Sequence, residues 1–401
     1  MGFQWDGCPE LKEYVVGLRR EFHQSPEISE EEVNTSKRIQ KELDALGISY
    51  KTFPNHQGII GIIENGVGAV IALRADMDAL SVVEETGLPF ASCNAGKMHA
   101  CGHDGHMSML LGAAKLLLQN KDQWQGTIKL LFQPAEELAP KGGAHYLIES
   151  GALEGVDYIF GCHVWPDLMP GSVATRKGYL MASSDRFWLT LKGKASHAAL
   201  PHQGVDAIVM AAEAIQQIYM VRARQMDPIA PVTVNVGVIQ GGSRYNVVPG
   251  EVKLEGTVRT LDAEMRNLYP VRLKRQLEHL ALGYGGEAIL DYQLGYPPLN
   301  NNDQAVDIFA EAASEVLPQE KIELNVKPAL PAEDFSFFLE KCPGAYFWLG
   351  CKKEGSGALH NGTFDMNEEI LPLGATLLFQ TAKKALNKIK EQKKIFDFSD
   401  K

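Results

Sequence analysis

The feature that most constrains this 401-residue chain is a change of texture part-way along it. Up to about residue 180, short apolar runs bounded by glycine alternate with amphipathic segments of helical period. Two helices are expected over "CPELKEYVVGLRREFHQSPEISEEEVNTSKRIQKELDALGISY", the second ended by Gly47. Strands are expected at "GIIGIIE", "AVIALRADMD", "GTIKLLFQ" and "YIFGCHV", with helices over "HMSMLLGAAKLLLQN" and near 142–150. Such alternation buries its apolar faces as an α/β sheet with helices on both sides. From about residue 181 the order becomes strand "RFWLTLKGKASH", a long helix over 204–223, strands "PVTVNVGVIQGG" and "EVKLEGTVRT", and a helix over 263–283. A β-α-β-β-α-β succession predicts a small α+β sandwich, residues 181–296, inserted into a larger α/β domain made of residues 1–180 and 297–401. Only the lysine-rich stretch after Asn387 reads as a frayed, solvated end.

Charge then removes whole classes of function. A net charge of −11 and a pI near 5.5 leave no basic footprint for nucleic acid or for an anionic membrane surface. No stretch is long enough to span a bilayer, and the first twenty residues lack the apolar run of a secretory signal. Six cysteines are scattered with no CxxC pair, in a chain large enough to need no disulfides, so a reducing cytoplasm is the expected location.

Chemistry concentrates at residues 98–107, "MHACGHDGHM". Cys101 and His103 flank a glycine just before a helix, and such a turn can aim a thiolate and an imidazole at one divalent cation. On its own the stretch is equally readable as a polar turn. The ends of other strands strengthen the metal reading: "LLFQPAEE" puts Glu136 and Glu137 past one strand, "FGCHVW" puts His163 at the end of another, and "GALHNGTF" offers His360 in a loop. Sites in α/β sheets form outside the carboxyl ends of strands, where these residues can converge. Adjacent glutamates suit metal-assisted hydrolysis, one binding a cation and the other taking a proton from water, although a solvated acidic loop is the bland alternative. The chain contains no HExxH, GxSxG, phosphate-binding loop or strand-following GxGxxG motif.

The ordered motifs "LRREFHQSPEISEEE", "RADMDAL", "MHACGHDGHM", "FQPAEE", "GCHV", "GKASHAALPHQGVDAI", "GGSRYNVVP", "GTVRT", "LPAEDFSFF" and "LHN" resemble the M20 metallopeptidase and amidohydrolase family, in its branch of aminoacylases, hippurate hydrolases and auxin-conjugate hydrolases. The resemblance implies a zinc-exopeptidase-like catalytic domain with an inserted ferredoxin-like lid and dimerisation domain, and two divalent cations per subunit, zinc, manganese, cobalt or nickel. It implies Cys101, His103, Glu137, His163 and His360 as metal ligands, with Cys101 bridging, and Glu136 as general base. His197 would reach across a homodimer, or a higher oligomer, to stabilise the oxyanion. Asn246 and Arg259 would contact the substrate, the arginine suiting a free carboxylate. Asp76 and Asp104 are candidates for orienting a ligand or the base, and His99 and His106 for supporting structure. Many relatives carry a histidine where this chain has Arg74. The implied reaction is hydrolysis of a small-molecule N-acyl amino acid, with dipeptidase or carboxypeptidase action, N-acetyl-diaminopimelate deacetylation and a non-catalytic binding scaffold as the other readings.

Overall fold

The computed structural model describes residues 3, 4 and 6–399, with side chains to residue 392. The apolar runs form an eight-stranded mixed sheet in the order Ser49–Thr52, Ile59–Asn65, Gly126–Gln133, Val70–Asp76, Tyr158–Trp165, Gly344–Gly350, Val173–Ala174, Ile322–Glu323. Gly126–Gln133, Val70–Asp76, Tyr158–Trp165 and Gly344–Gly350 run parallel, so their carboxyl ends open on one edge of the sheet. Every residue of Gly344–Gly350 is buried, as a strand covered on both faces requires.

Alternation along Val70–Asp76 shows how both faces are covered. Ile71 and Leu73 pack with Leu11, Val15, Leu110, Phe309 and Leu378, from the helices Pro9–Gln24, His103–Gln119, Asp303–Ser314 and Leu371–Ser399. Ala72 points the other way, into a cluster with Leu147, Phe335, Phe338 and Trp348. The last helix continues through the lysine-rich stretch that reads as a frayed end; its side chains beyond residue 392 lie outside the described residues.

Residues 185–293 form a second sheet, entirely antiparallel, in the order Val232–Gly241, Glu251–Thr260, Asp185–Lys192, Glu287–Gln293. Two helices cover one face, Ala207–Gln225 and Ala263–Tyr284. Each starts where an aspartate caps it: Asp206 accepts from the Ile208 and Val209 N–H groups, Asp262 from that of Met265. Strict alternation along Glu251–Thr260 sends Val252, Leu254 and Val258 under these helices and leaves Glu255, Thr257 and Arg259 on the open face.

Candidate metal centre and active site

Gly102 shapes the first part of the site. Its φ of +89° is a backbone conformation that side chains resist, and a Cβ there would lie 2.4 Å from Cγ2 of Val164. The turn therefore presses directly on the strand that carries His163, and Cys101 Sγ comes to 3.4 Å from His163 Nε2. His163 Nδ1 lies 2.6 Å from the Val164 carbonyl and donates to it, which leaves Nε2 with its lone pair toward the cysteine. The helix beginning at His103, three residues ahead of the expected start, places His103 against the same edge. His103 Nδ1 donates to the Asp78 carbonyl at 2.8 Å, while its buried Nε2 has no hydrogen-bond partner. That atom faces Asp76 Oδ1 at 3.8 Å and Glu137 Oε1 at 3.9 Å.

The two glutamates are positioned from below. Asp78 accepts the backbone N–H of Glu136 at 3.1 Å and of Glu137 at 2.9 Å, together with the Ser29 hydroxyl at 2.7 Å. Just before them, Ala135 adopts a φ of +56°, held by its N–H donating to Glu32 Oε1 at 2.7 Å. His360 is also left-handed, with φ +65°, and its N–H donates to the Ala100 carbonyl at 2.8 Å. Each such residue costs about 1–3 kcal/mol, so both are over-determined by their surroundings. The result is His360 Nε2 at 3.2 Å from Glu137 Oε1.

Glu136 turns toward Glu333 and Asp334, with one oxygen of each within 4.8 Å of the others. Burial, and then the charges of Glu333 and Glu137, raise the Glu136 carboxyl well above the usual range. The Tyr296 hydroxyl holds its backbone, donating to the Glu136 carbonyl at 2.6 Å. Arg74, fully buried, ties the cluster to the sheet: it contacts Asp76 at 2.6 Å, Asp334 at 2.8 Å and Glu333 at 3.0 Å, and donates to Gln133 at 2.8 Å. A planar guanidinium can serve so many acceptors at once. Arg74 is thus a buried counter-charge to the acidic cluster rather than a ligand.

The donor set fits divalent cations. Cys101, His103 and His163 offer ligand atoms within 4.8 Å of one another, and so do Cys101, Glu137 and His360, with the cysteine common to both groups. His103 Nε2 and Glu137 Oε1 are buried without hydrogen-bond partners. Although burial opposes protonation of His103, Asp76, Asp78 and Glu137 raise its pKa to about 10, so the surroundings favour positive charge at this spot. Burial, and then the charges of Glu137, Glu136 and Asp76, push the Cys101 thiol up, and a cation is what would hold it as thiolate.

The other histidines and the aspartate of the stretch are committed to other partners or left without one, although His106 and Asp76 also bring ligand atoms within 4.8 Å of one of His103. His106 donates from Nδ1 to Asp76 at 2.6 Å and accepts the Val164 N–H on Nε2 at 3.0 Å, so both nitrogens are committed. Asp76 therefore links Arg74 and His106 behind the ligands. Asp104 turns away, to His23 Nδ1 at 2.7 Å and Arg19 Nε at 2.9 Å; Arg19 also reaches Asp365 and Glu368, both at 3.1 Å. His99 is buried with neither nitrogen hydrogen-bonded, and burial lowers its pKa to about 4.

A cavity of about 240 Å³ gathers Cys101, Glu136, Glu137, His163, His360 and Arg259, with Trp165, Tyr296 and Glu333 in its wall. Arg259 is the one contribution of the small sheet's strands. His197 and Asn246 do not line this cavity: His197 pairs with Val247 in a short ladder, and the Ala198 N–H donates to the Asn246 carbonyl at 3.1 Å. Sequence reasoning missed Asp78, Glu333 and Tyr296, although Asp78 and Glu333 stand inside the motifs "RADMDAL" and "LPAEDFSFF".

A model of peptidase family M20/M25/M40 matches residues 72–384, well over half of the chain. The chain belongs to this family. As an M20-family hydrolase it is 38% identical over 387 residues to thermostable carboxypeptidase 1 of Saccharolobus solfataricus, covering 94% of this chain and 97% of that one. It is 39% identical over 384 residues to N-acetyl-L-cysteine deacetylase of Bacillus subtilis, covering 96% and 91%. Among solved M20 structures, a dinuclear metal-binding peptidase from Bacillus subtilis superposes with a TM-score of 0.84 at 34% identity, covering 95% of this chain and 99% of the other. No helix among the described residues is long and apolar enough to cross a membrane.

Proposed function

We propose that this protein hydrolyses the amide bond of N-acyl amino acids, releasing a carboxylic acid and an amino acid. The observation that carries the reading is the single cavity in which a buried carboxylate, Glu136, and the ligand atoms of Cys101, Glu137, His163 and His360 face the guanidinium of Arg259. Cys101, His103, Glu137, His163 and His360 would hold two divalent cations, Cys101 being common to both groups of ligand atoms. Zinc, manganese, cobalt and nickel all accept this mixture of thiolate, imidazole and carboxylate. When bound, the cations supply Lewis-acid polarisation of the amide carbonyl and acidify water.

The chain's own residues do the rest. Arg259 takes the free carboxylate of the substrate in its planar fork. Glu136 removes a proton from the attacking water and then delivers it to the amide nitrogen as the amine departs. His197 of a second copy enters the cavity and donates to the carbonyl oxygen as negative charge develops there, with Asn246 beside it. Asp76 fixes His106 and Arg74 behind the ligands, and Asp104 anchors the turn through Arg19 and His23. In this reading residues 1–180 and 297–401 are the catalytic domain, and 181–296 the lid and dimerisation domain. Support for a dimer comes from the Val232–Gly241 strand, which is an unpaired edge, and from exposed Ile208, Val209, Ile239 and Val247 near it.

The test compares N-acetyl, N-benzoyl and N-hexanoyl amino acids with the same amides capped at the carboxylate, and with dipeptides. Turnover of the free N-acyl amino acids, falling at least tenfold on capping, is expected where a half-buried arginine recognises the carboxylate. Turnover confined to peptides would instead favour carboxypeptidase action, the activity named for the Saccharolobus relative.

A further inference from the structure

A second cavity, of about 380 Å³, adjoins the first and shares Arg259, Ser184 and Ala139 with it, yet touches none of the proposed metal ligands. Its floor is the open face of the small sheet. Thr257 lies two residues along the strand from Arg259, on the same face and roughly 7 Å away. In the sheet register Thr257 stands opposite Asn235 on one side and Arg186 on the other. Arg186 is paired with Glu255 at 2.8 Å, and its guanidinium lies 4.4 Å from the centre of the Trp188 ring, so Arg186 is contacted by both the carboxylate and the ring. Pro140 and Val238 supply apolar wall.

We infer that this second cavity receives the side chain of the amino acid that hydrolysis releases, and that it selects long side chains ending in an amide or ammonium group. The inference rests on the amidohydrolase reading. With the carboxylate on Arg259 and the scissile amide at Glu136, the α-carbon lies between them, and the open space beside Arg259 that avoids the metal ligands is this cavity. An aliphatic stem would lie along Pro140 and Val238. Its polar end would meet the Asn235 amide, the Thr257 hydroxyl and the Arg186–Glu255 pair, a set that offers donors and acceptors with no net charge. A short side chain leaves these groups to water, and a branched apolar one strips them of it without replacement.

The experiment measures kcat/KM for the Nα-acetyl derivatives of L-glutamine, L-lysine, L-leucine and glycine, with wild-type holoenzyme and with Thr257→Trp, which fills the cavity from an exposed strand position. Wild type is expected to favour the glutamine and lysine derivatives over leucine by about tenfold, and Thr257→Trp to abolish that ratio. Asn235→Ala, which adds no bulk, should lower the ratio in the same direction. A wild-type preference for leucine or glycine, or an unchanged ratio in both variants, overturns the assignment while leaving amide hydrolysis intact. Should the acetyl derivatives all be inert, the N-benzoyl and N-hexanoyl derivatives of the same four amino acids take their place, and failure of every acyl series would remove the amidohydrolase reading, and this inference with it.

Discussion

His163 Nε2 stands 3.4 Å from Cys101 Sγ, although 62 residues separate them in the chain. Neither residue has a local reason to seek the other. They meet because one ends a buried strand and the other precedes a helix packed on that strand, with Gly102 allowing the close approach. Ligand atoms held in this way are preorganised before any cation arrives.

Glu136→Gln keeps the shape of the side chain and removes its capacity to accept a proton. Turnover should fall by about 10²–10⁴-fold, with metal content by elemental analysis close to wild type. Substantial residual turnover would assign the proton transfer to another group, Glu333 being the nearest alternative in the cavity wall.

His197→Ala tests whether one subunit completes the site of another. Alone it should be nearly inactive, as should Glu136→Gln. Mixed and allowed to exchange subunits, the two variants should regain roughly a quarter of wild-type activity, because half the dimers are mixed and each mixed dimer has one intact site. No recovery, with exchange verified, rules out the cross-subunit role.

Gly102→Ala forces a side chain into a left-handed position that also collides with Val164. Loss of about 1–3 kcal/mol of stability is expected, read from denaturant titration. The more telling result is a parallel loss of bound metal, since the displaced turn carries Cys101 and His103.

Alkaline pH should loosen the N-terminal helix. Burial opposes protonation of His23, but its hydrogen bonds to Asp104 and Glu84 overcome this and raise its pKa from 6.5 to about 9. A folded-state value above the unfolded one stabilises fully below pH 6.5, and the contribution disappears as pH rises through about 9. Thermal melts of wild type should therefore decline over that interval, and His23→Gln should flatten the decline. Arg19→Ala should be severe at every pH, about 3–5 kcal/mol, because it strands the buried Asp104 carboxylate.

Much of the parallel sheet is legible in the sequence because its strands are unbroken apolar runs, and so are Glu136 and Glu137 just past the end of one strand and His163 near the end of another. What could not be read was side-chain direction. Asp104 is adjacent to His103 on a helix, so the two point about 100° apart, and Asp104 ends on Arg19 instead of in the cavity. Asp78 and Glu333 were hidden for another reason: acidic residues in loops are usually solvated, and only the packing shows that these two are buried. The rank of Asp76 over Asp78 could not be decided by spacing, since both flank the same strand end.

The Arg19 guanidinium has a bearing on how the protein is made. Its partners Asp365 and Glu368 lie 346 and 349 residues further along the chain, close to the loop that supplies His360. During synthesis the helix Pro9–Gln24 and Asp104 emerge long before these two carboxylates, and loop closure over such a separation is slow. The cavity therefore cannot be finished on a growing chain before residues 360–368 have been made: until then Arg19 has Asp104 alone of its three carboxylates, and the loop that carries His360 has nothing to fasten it to the helix Pro9–Gln24.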